Sequence, residues 1–301
     1  MHILFCSEPF RRRKVDSFFE RESAEAGRAG FDLGLVDFEA LVESGRPFAG
    51  TGPLAHPSLN ALYRGWMLRA SDYEQLYSEC AASGLRLINS PEQCVYCHHL
   101  PAGFSAIKAM TARTVWMEWA DEGLDERILD AVTTFGDKAI IVKDYVKSEK
   151  HHWEEACFIP NASDRERVLT VTKRFLELRG GALEGGLVFR EFLDLEPIGA
   201  HSASGMPQFR EYRLFFLDQK VLACVPYWER QEPDCIDVPL EKFENVAEQV
   251  NSRFFTMDVA LHRDGRWMIV ELGDGQVAGL PEQLDPGQFY QKLWDAFGGE
   301  S

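Results

Sequence analysis

The chain has 301 residues, is 45% hydrophobic and carries a formal charge of −16. It can bury a large core spread over about two or three subdomains, and its charge excludes a nucleic-acid partner gripped through phosphates, which needs a surplus of Lys and Arg on one face. No apolar run approaches the ~18 residues of a membrane span, and the amino-terminal MHILFCSEPF has no long apolar signal core, so no membrane partner and a cytoplasmic location are expected.

His2 to Ser7 reads as a buried strand that ends in a turn at Glu8-Pro9. Residues 11 to 28 follow with a helical pattern, which makes the cations Arg11 to Lys14 a solvated helix start. Gly30 to Val36 resumes strand character, completing a β-α-β opening. Phe48 to Pro57 is rich in Gly and Pro and reads as a loop. Asn60 to Met67 is a strand entering a tight turn, 72 to 83 an amphipathic helix, and Gly84 to Asn89 a further strand. These pieces form an open α/β first domain that ends near residue 100. Within it, Arg64 is either a carboxylate clamp or an ordinary salt-bridged arginine.

Cys94 and Cys97, followed by His98, match the spacing of covalent haem attachment. That reading fails for want of an export signal, and structural zinc fails for want of a second ligand pair. Asn89-Ser90-Pro91-Glu92 is a good capping sequence, so the segment is a helix start or loop, and the seven scattered cysteines are expected to be reduced thiols.

Beyond residue 100, Ala102 to Met117 has a helical pattern and the acidic stretch Glu118 to Glu126 leads into another helix to about Thr134. Lys138 to Lys147 is β-prone, Ser148 to Trp153 is a polar, cationic loop, and a helix over 163 to 180 ends at Gly180-Gly181. Gly186 to Glu196 is a strand running into a turn, followed by a loop from His201 to Pro207. Phe209 to Leu217 and Lys220 to Val225 form a hairpin about Asp218-Gln219, and a helix over 240 to 252 precedes the last readable hairpin.

That hairpin runs from Phe254 to Gly279. Asp264-Gly265 favours a two-residue turn, which would pair Arg263 with Arg266 and His262 with Trp267 and so bring Asp258 directly opposite Glu271. Opposed like charges destabilise a ladder unless something positive lies between them, and a divalent cation is the simplest remedy. Asp274, between two glycines, is a further acid for a third ligand or a second cation. A longer turn would slip the register and leave both acids on an exposed face.

A cation held by two or three carboxylates, with phosphates and water completing its shell, is how Mg²⁺ is commonly held against a nucleotide. Counter-charges for phosphate are available in Lys143, Lys147, Lys150, Arg190 and Arg213; the alternative is that these pair with the local acids Glu191 and Glu211. No Walker-type or kinase-like motif occurs, so a different nucleotide fold is required.

The order of parts resembles the ATP-grasp superfamily, over nearly the whole chain and most strongly in VKDYVKSEK, FREFLDLEPIG, REYRLFF and MDVALHRDGRWMIVELGDGQVAGLP. It is most similar to a clade of ATP-grasp amide ligases of bacteria and phages with a DGQVAGLP-like ending. The resemblance implies an α/β (α+β) ATP-grasp fold: a preceding α/β domain over 1–100, then an ATP-grasp domain over 101–301 with a small lobe at about 135–190 and a large lobe at about 191–301. It implies ATP and Mg²⁺ as cofactors. Lys143, Lys147 and Arg190 would meet the nucleotide, Glu191, Phe192 and Leu193 would form the hinge reading adenine, and Asp194 or Glu196 the ribose hydroxyls. Arg213 and Lys150 would act on the phosphates or acyl-phosphate, with Asp258, Glu271 and Asp274 as metal ligands. The implied reaction joins a small-molecule or peptide carboxylate to an amine through an acyl-phosphate; a phosphotransferase and a nucleotide-binding module without turnover are the alternatives. One departure is plain: where the superfamily usually has Asn, two residues beyond Glu271, this chain has Gly273.

Overall fold

The computed structural model describes residues 1–48, 59–201, 205–229 and 237–298. Most of the expected loop from Phe48 to Pro57, and part of the one from His201 to Pro207, lies outside the described residues.

The first unit comprises β1 (His2–Glu8), β2 (Arg11–Val15), α1 (Glu20–Ala29), β3 (Asp32–Val36), α2 (Phe38–Ser44), β4 (Leu59–Arg64), α3 (Ala70–Ala82), β5 (Leu85–Leu87) and α4 (Pro91–His98). β1 lies parallel to β3 on one side and β4 on the other, and β4 carries β5. The run HILFCS reads as continuously apolar because β1 is covered on both faces, as an inner parallel strand must be. Arg11 to Lys14 do not begin a helix: they form β2, which folds back antiparallel on the end of β1, pairing Val15 with Ser7. Its charges suit an exposed edge, and Lys14 and Arg12 are tied to Glu8 and Asp37 at 2.8 and 2.7 Å. In α4, the Ser90 hydroxyl accepts from the Gln93 N–H while the Gln93 side-chain carbonyl accepts from the Ser90 N–H, a reciprocal cap. Cys94 and Cys97 are buried in this helix, and burial pushes both thiols up.

Next come α5 (Leu100–Ile107), β6 (Thr114–Glu118), α6 (Leu124–Val132), β7 (Ile140–Asp144), α7 (Trp153–Ala156), β8 (Phe158–Ile159), α8 (Arg165–Arg179) and β9 (Gly186–Glu191). The strands form an antiparallel sheet in the order β6-β9-β7-β8. The helix expected to reach Met117 stops at Ile107, and Thr114 to Glu118 instead pairs along β9; a β-branched and aromatic run prefers that half-buried pleated surface. Nor is Ser148 to Trp153 wholly irregular, since Lys150 to His152 make a helical turn leading into α7.

The last unit holds a short ribbon of β10 (Pro197–Ala200) and β11 (Pro207–Phe209), then β12 (Glu211–Leu217), β13 (Lys220–Pro226), α9 (Leu240–Ala247), β14 (Phe254–Leu261), β15 (Trp267–Asp274) and α10 (Pro286–Gly298). Its sheet runs β13-β12-β14-β15, all antiparallel. Asp218 and Gln219 both have positive φ, as the tight β12–β13 turn demands. Strand alternation gives this sheet two unlike faces. Leu214, Phe216, Phe255, Met257 and Val259 fill one wholly apolar core. The other face is apolar at one end, through Phe215 and Phe254, and polar at the other, through Glu211, Arg213, Thr256 and Asp258.

The apolar end of that face joins the core of the first unit, together with Phe289, Tyr290 and Leu293 of α10, a helix the sequence reading omits. Polar bonds fix the same junction. Arg64, fully buried, donates to Glu22 through Nη2 at 2.9 Å and to the carbonyls of Gly275 and Ala278 through Nη1 at 2.7 and 2.8 Å. It is a salt-bridged latch on the loop after β15. Asn89 adds a second tie, donating to the Phe254 carbonyl at 2.7 Å and accepting from the Phe254 N–H at 3.0 Å. No helix among the described residues is long and apolar enough to cross a membrane.

Arg64→Ala would leave Glu22 as a buried carboxylate without its cation. The expected loss is about 3–5 kcal/mol of folding stability, read by chemical denaturation; a loss within about 0.5 kcal/mol, the range of ordinary surface changes, would contradict the latch.

Candidate nucleotide and metal site

The β14–β15 hairpin places Asp258 opposite Glu271, as expected, but by a different route. The turn has three residues rather than two. His262 N–H donates to the Arg266 carbonyl and Gly265 N–H to the His262 carbonyl, each at 2.8 Å, with Gly265 left-handed at φ 86°. This is the geometry of a three-residue loop closed by a glycine, which Asp-Gly serves as well as a two-residue turn. The ladder therefore begins one residue out of the expected register, at Leu261↔Trp267 and Val259↔Ile269. Val270 is then inserted as a bulge, and the register returns at Asp258↔Glu271.

The bulge is held from outside the hairpin. Ile269 N–H donates to the Met110 carbonyl at 2.7 Å, and the Thr111 hydroxyl donates to the Ile269 carbonyl at 2.7 Å. Arg190 on β9 donates to the Val270 carbonyl at 2.7 Å and to the Thr111 hydroxyl at 2.8 Å. Arg190 thus joins the small sheet to the large one at the residue whose ladder bond the bulge removes.

Each acid of the pair is taken by a cation. Arg213 on β12 donates both Nε and Nη2 to the Asp258 carboxylate, at 2.8 Å each, and stacks over Tyr227 with 4.8 Å to the ring centroid. Lys143 on β7 donates to Glu271. Desolvation pushes the Glu271 carboxyl up, but Lys143, backed by Arg190 and Lys147, outweighs it and holds the group down to about 2. Lys143 and Arg213 are thus spent on Glu271 and Asp258 rather than on Glu191. Glu191 is bound by Lys138, with Arg113 at 4.0 Å.

Two cavities meet at this seam. The first, with about 1030 Å³ of open space, is lined by Lys143, Lys150, Arg190, the segment Glu191 to Leu193, Asp258 and Glu271, against apolar walls such as Ile141, Trp153 and Phe209. In that segment the N–H groups of Glu191 and Phe192 are spent on the carbonyls of Arg113 and Ala139, leaving the Leu193 N–H without an acceptor among the described residues. The second cavity, about 900 Å³, shares Lys143, Lys150, Asp258 and Glu271 with the first and adds Lys147, Arg213 and Asp274.

Two expected residues are not brought in. Asp194 is exposed and paired with Arg263 at 2.8 Å, and Glu196 lies 3.8 Å from Arg210, both off the cavity walls. Asp274 is buried, its oxygens accepting from Asn89 Nδ2 at 2.9 Å and the Gln276 N–H at 2.8 Å. Among the described residues no three or more His, Cys, Asp or Glu side chains are arranged to hold a metal ion. The donors present therefore fit a hard cation only as the pair Asp258 and Glu271, completed by phosphate or water oxygens. At Gly273, a Cβ would meet the Thr256 hydroxyl at 2.7 Å, so Thr256 fills the room that the expected Asn would need.

Sequence reasoning missed Glu211 as a cavity residue, although its spacing of two from Arg213 puts both on one sheet face. It is buried on the first cavity's wall, where it accepts from the Trp228 indole at 3.1 Å. Burial, reinforced by the neighbouring Asp258 charge, pushes it up to about 8. Its folded-state pKa is thus above the unfolded one. Stability from Glu211 is full below the ordinary carboxyl value of 4.5 and is lost as pH rises through about 8. Glu211→Gln is therefore expected to gain stability over the wild type in denaturation at pH about 9 and to lose that gain below about 4.5; a difference independent of pH would contradict this.

A family model for an ATP-grasp domain, the third family of its clade, matches residues 134–293. No curated protein matches the chain in sequence. Among solved structures, a RimK-domain ATP-grasp protein from Sphaerobacter thermophilus aligns at TM-score 0.61 with 13% identity, covering 98% of each chain. The D-cycloserine synthetase DcsG aligns at 0.61 with 13% identity over 98% of this chain and 99% of its own. The ATP-grasp ligase PsnB, solved with a precursor peptide and AMPPNP, aligns at 0.59 with 15% identity over 99% and 96%. At such identities these likenesses speak to the fold.

Proposed function

The chain belongs to the ATP-grasp family whose model it matches, and from that premise we propose that it is an ATP- and Mg²⁺-dependent carboxylate–amine ligase. The ATP-grasp family comprises ATP-dependent ligases that form C–N bonds. The observation that carries the proposal here is the seam itself: Lys143 and Arg213, two cations from different sheets, meet Asp258 and Glu271 where two cavities join.

In this reading the nucleotide occupies the first cavity, with adenine against the Leu193 N–H and phosphates reaching Lys143, Lys150 and Arg190. Lys147, Asp194 and Glu196 would adjust to reach phosphates and ribose. A bound Mg²⁺, held by Asp258 and Glu271 with Asp274 beyond them, would neutralise phosphate charge. A substrate carboxylate oxygen attacks the γ-phosphorus and ADP leaves. The amine then attacks the acyl carbon; the C–N bond forms, the C–O bond to phosphate breaks with its electron pair, and the amine gives up a proton. Arg213 and Lys150 stabilise the charge on the transferring phosphoryl group, so the protein supplies position and counter-charge rather than a nucleophile. The carboxylate and amine are small molecules or peptides, met in the cytoplasm.

The internal ion pairs set a binding order. Lys143 and Arg213 hold the acids until phosphates draw the cations away, so metal binds well only with nucleotide. In calorimetry, Mg²⁺ alone should bind at least about tenfold more weakly than Mg²⁺ added with AMPPNP, a difference of ~1.4 kcal/mol. Lys143→Met should weaken AMPPNP by a similar factor while strengthening metal binding in its absence. With ATP, Mg²⁺ and a panel of carboxylates and amines, ADP and phosphate should appear together with an amide. A phosphorylated product without amide would favour a phosphotransferase, bound ATP without ADP release would favour a binding module, and no nucleotide binding at millimolar concentration would end the proposal.

A further inference from the structure

Lys147 stands apart from the other cations of the seam. Lys143 and Arg213 are each held by a carboxylate, whereas no carboxylate among the described residues is ion-paired with Lys147, although it lines the second cavity beside Asp258 and Glu271. It lines that cavity and not the first, so it faces the phosphate end of the nucleotide site rather than its base. A long side chain with no ion partner keeps its rotamer freedom, so what fixes its backbone decides where its charge can stand.

That backbone is fixed from behind the strand. Asp144, the last residue of β7, is fully buried and lies on the face opposite Lys143. Its Oδ1 accepts from the N–H groups of Val146 and Lys147 at 2.7 and 2.5 Å, and its own N–H donates to the Lys147 carbonyl at 2.9 Å. The Tyr145 N–H donates to the Glu184 carbonyl at 3.2 Å, so every N–H of the turn from 144 to 147 is spent. The Leu100 N–H, at the start of α5, donates to the Tyr145 carbonyl at 2.9 Å and ties the turn down from another side. Arg179, the last residue of α8, donates Nε to Asp144 at 3.0 Å and Nη2 to the Ala182 carbonyl at 2.7 Å, with Nη1 3.4 Å from Glu149 beyond the turn. It supplies the cation that a buried carboxylate requires. α8 delivers it there because Val168, Val171 and Phe175 share one core with Val142 of β7.

We propose that Asp144 and Arg179 are positioning residues of the phosphate site, which hold the backbone of Lys147 in place in the nucleotide-free protein, so that its charge meets incoming phosphates without first surrendering a carboxylate. The inference rests on the ligase reading above and adds to it the residues that place one of its cations. Neither residue lines either cavity. Both act from behind β7, through the backbone of one turn. Lys143 and Arg213 exchange partners when phosphates arrive, and Lys147 does not.

AMPPNP with Mg²⁺, and separately AMP, which lacks the β- and γ-phosphates, are titrated into the wild type, Asp144→Ala, Lys147→Met and the double variant. Each single change should weaken AMPPNP by about tenfold, the scale of a hydrogen bond to a charged group, and leave AMP within about twofold. The double variant should bind AMPPNP no more weakly than either single one, because Asp144 acts only through Lys147. Losses that multiply to about a hundredfold, or an equal loss for AMP, would overturn the inference and spare the ligase reading, as would Asp144→Ala binding like the wild type. Arg179→Lys replaces Asp144→Ala in the cycle if that variant does not fold. In the wild type itself, the amide protons of Val146 and Lys147 should be as protected from hydrogen exchange without nucleotide as with AMPPNP. Protection that appears only with AMPPNP would overturn the inference on its own. A wild type that binds no AMPPNP would strike the ligase reading, and the inference with it.

Discussion

The structure turns on two ion pairs across one seam, Arg213 with Asp258 and Lys143 with Glu271. Four charges from β7, β12, β14 and β15 neutralise one another in a cavity walled by apolar side chains. A half-buried charge without a partner is costly, so each side of the seam requires the other. Under the proposed function, the same requirement would let the site change hands. Phosphate oxygens offer Arg213 and Lys143 a partner as good as a carboxylate, and a divalent cation offers Asp258 and Glu271 one better than either. Binding would then exchange counter-ions and leave no charge alone.

Much of this is legible in the sequence. Period-two alternation puts Arg213, Asp258 and Glu271 among apolar neighbours, and a buried charge must find a partner. The identity of the partners is not legible. Local pattern assigns the acids a metal and the cations a phosphate, whereas in the folded chain they find each other across 45 and 128 residues of sequence. The turn length escapes the sequence because Asp-Gly serves two loop lengths, and the error is cancelled by a bulge at Val270 held by Arg190 and Thr111, the first 80 residues away from Val270 and 79 from Thr111, contacts that no local pattern announces. Thr114 to Glu118 reads as helix because a five-residue run is too short for its period to tell, and only pairing with β9 decides it.

Arg64 shows the opposite failing. Local sequence leaves it between substrate clamp and salt bridge, and only the fold reveals Glu22 and three backbone carbonyls around it. Through that latch the first unit does more than cover the sheet. Asn89 fixes the end of β14, Gln276 reaches Tyr63 and Tyr73, and the loop after β15 becomes a rigid wall of the second cavity. Met67 and His98 of the first unit line that cavity alongside the loop.

The most direct test of the central claim is a crystal structure with AMPPNP and Mg²⁺. The account predicts that Lys143 and Arg213 leave their carboxylates for phosphate oxygens, with Mg²⁺ between Asp258 and Glu271 and adenine against the Leu193 N–H. A nucleotide bound while both ion pairs stay closed, or bound away from this seam, would contradict it.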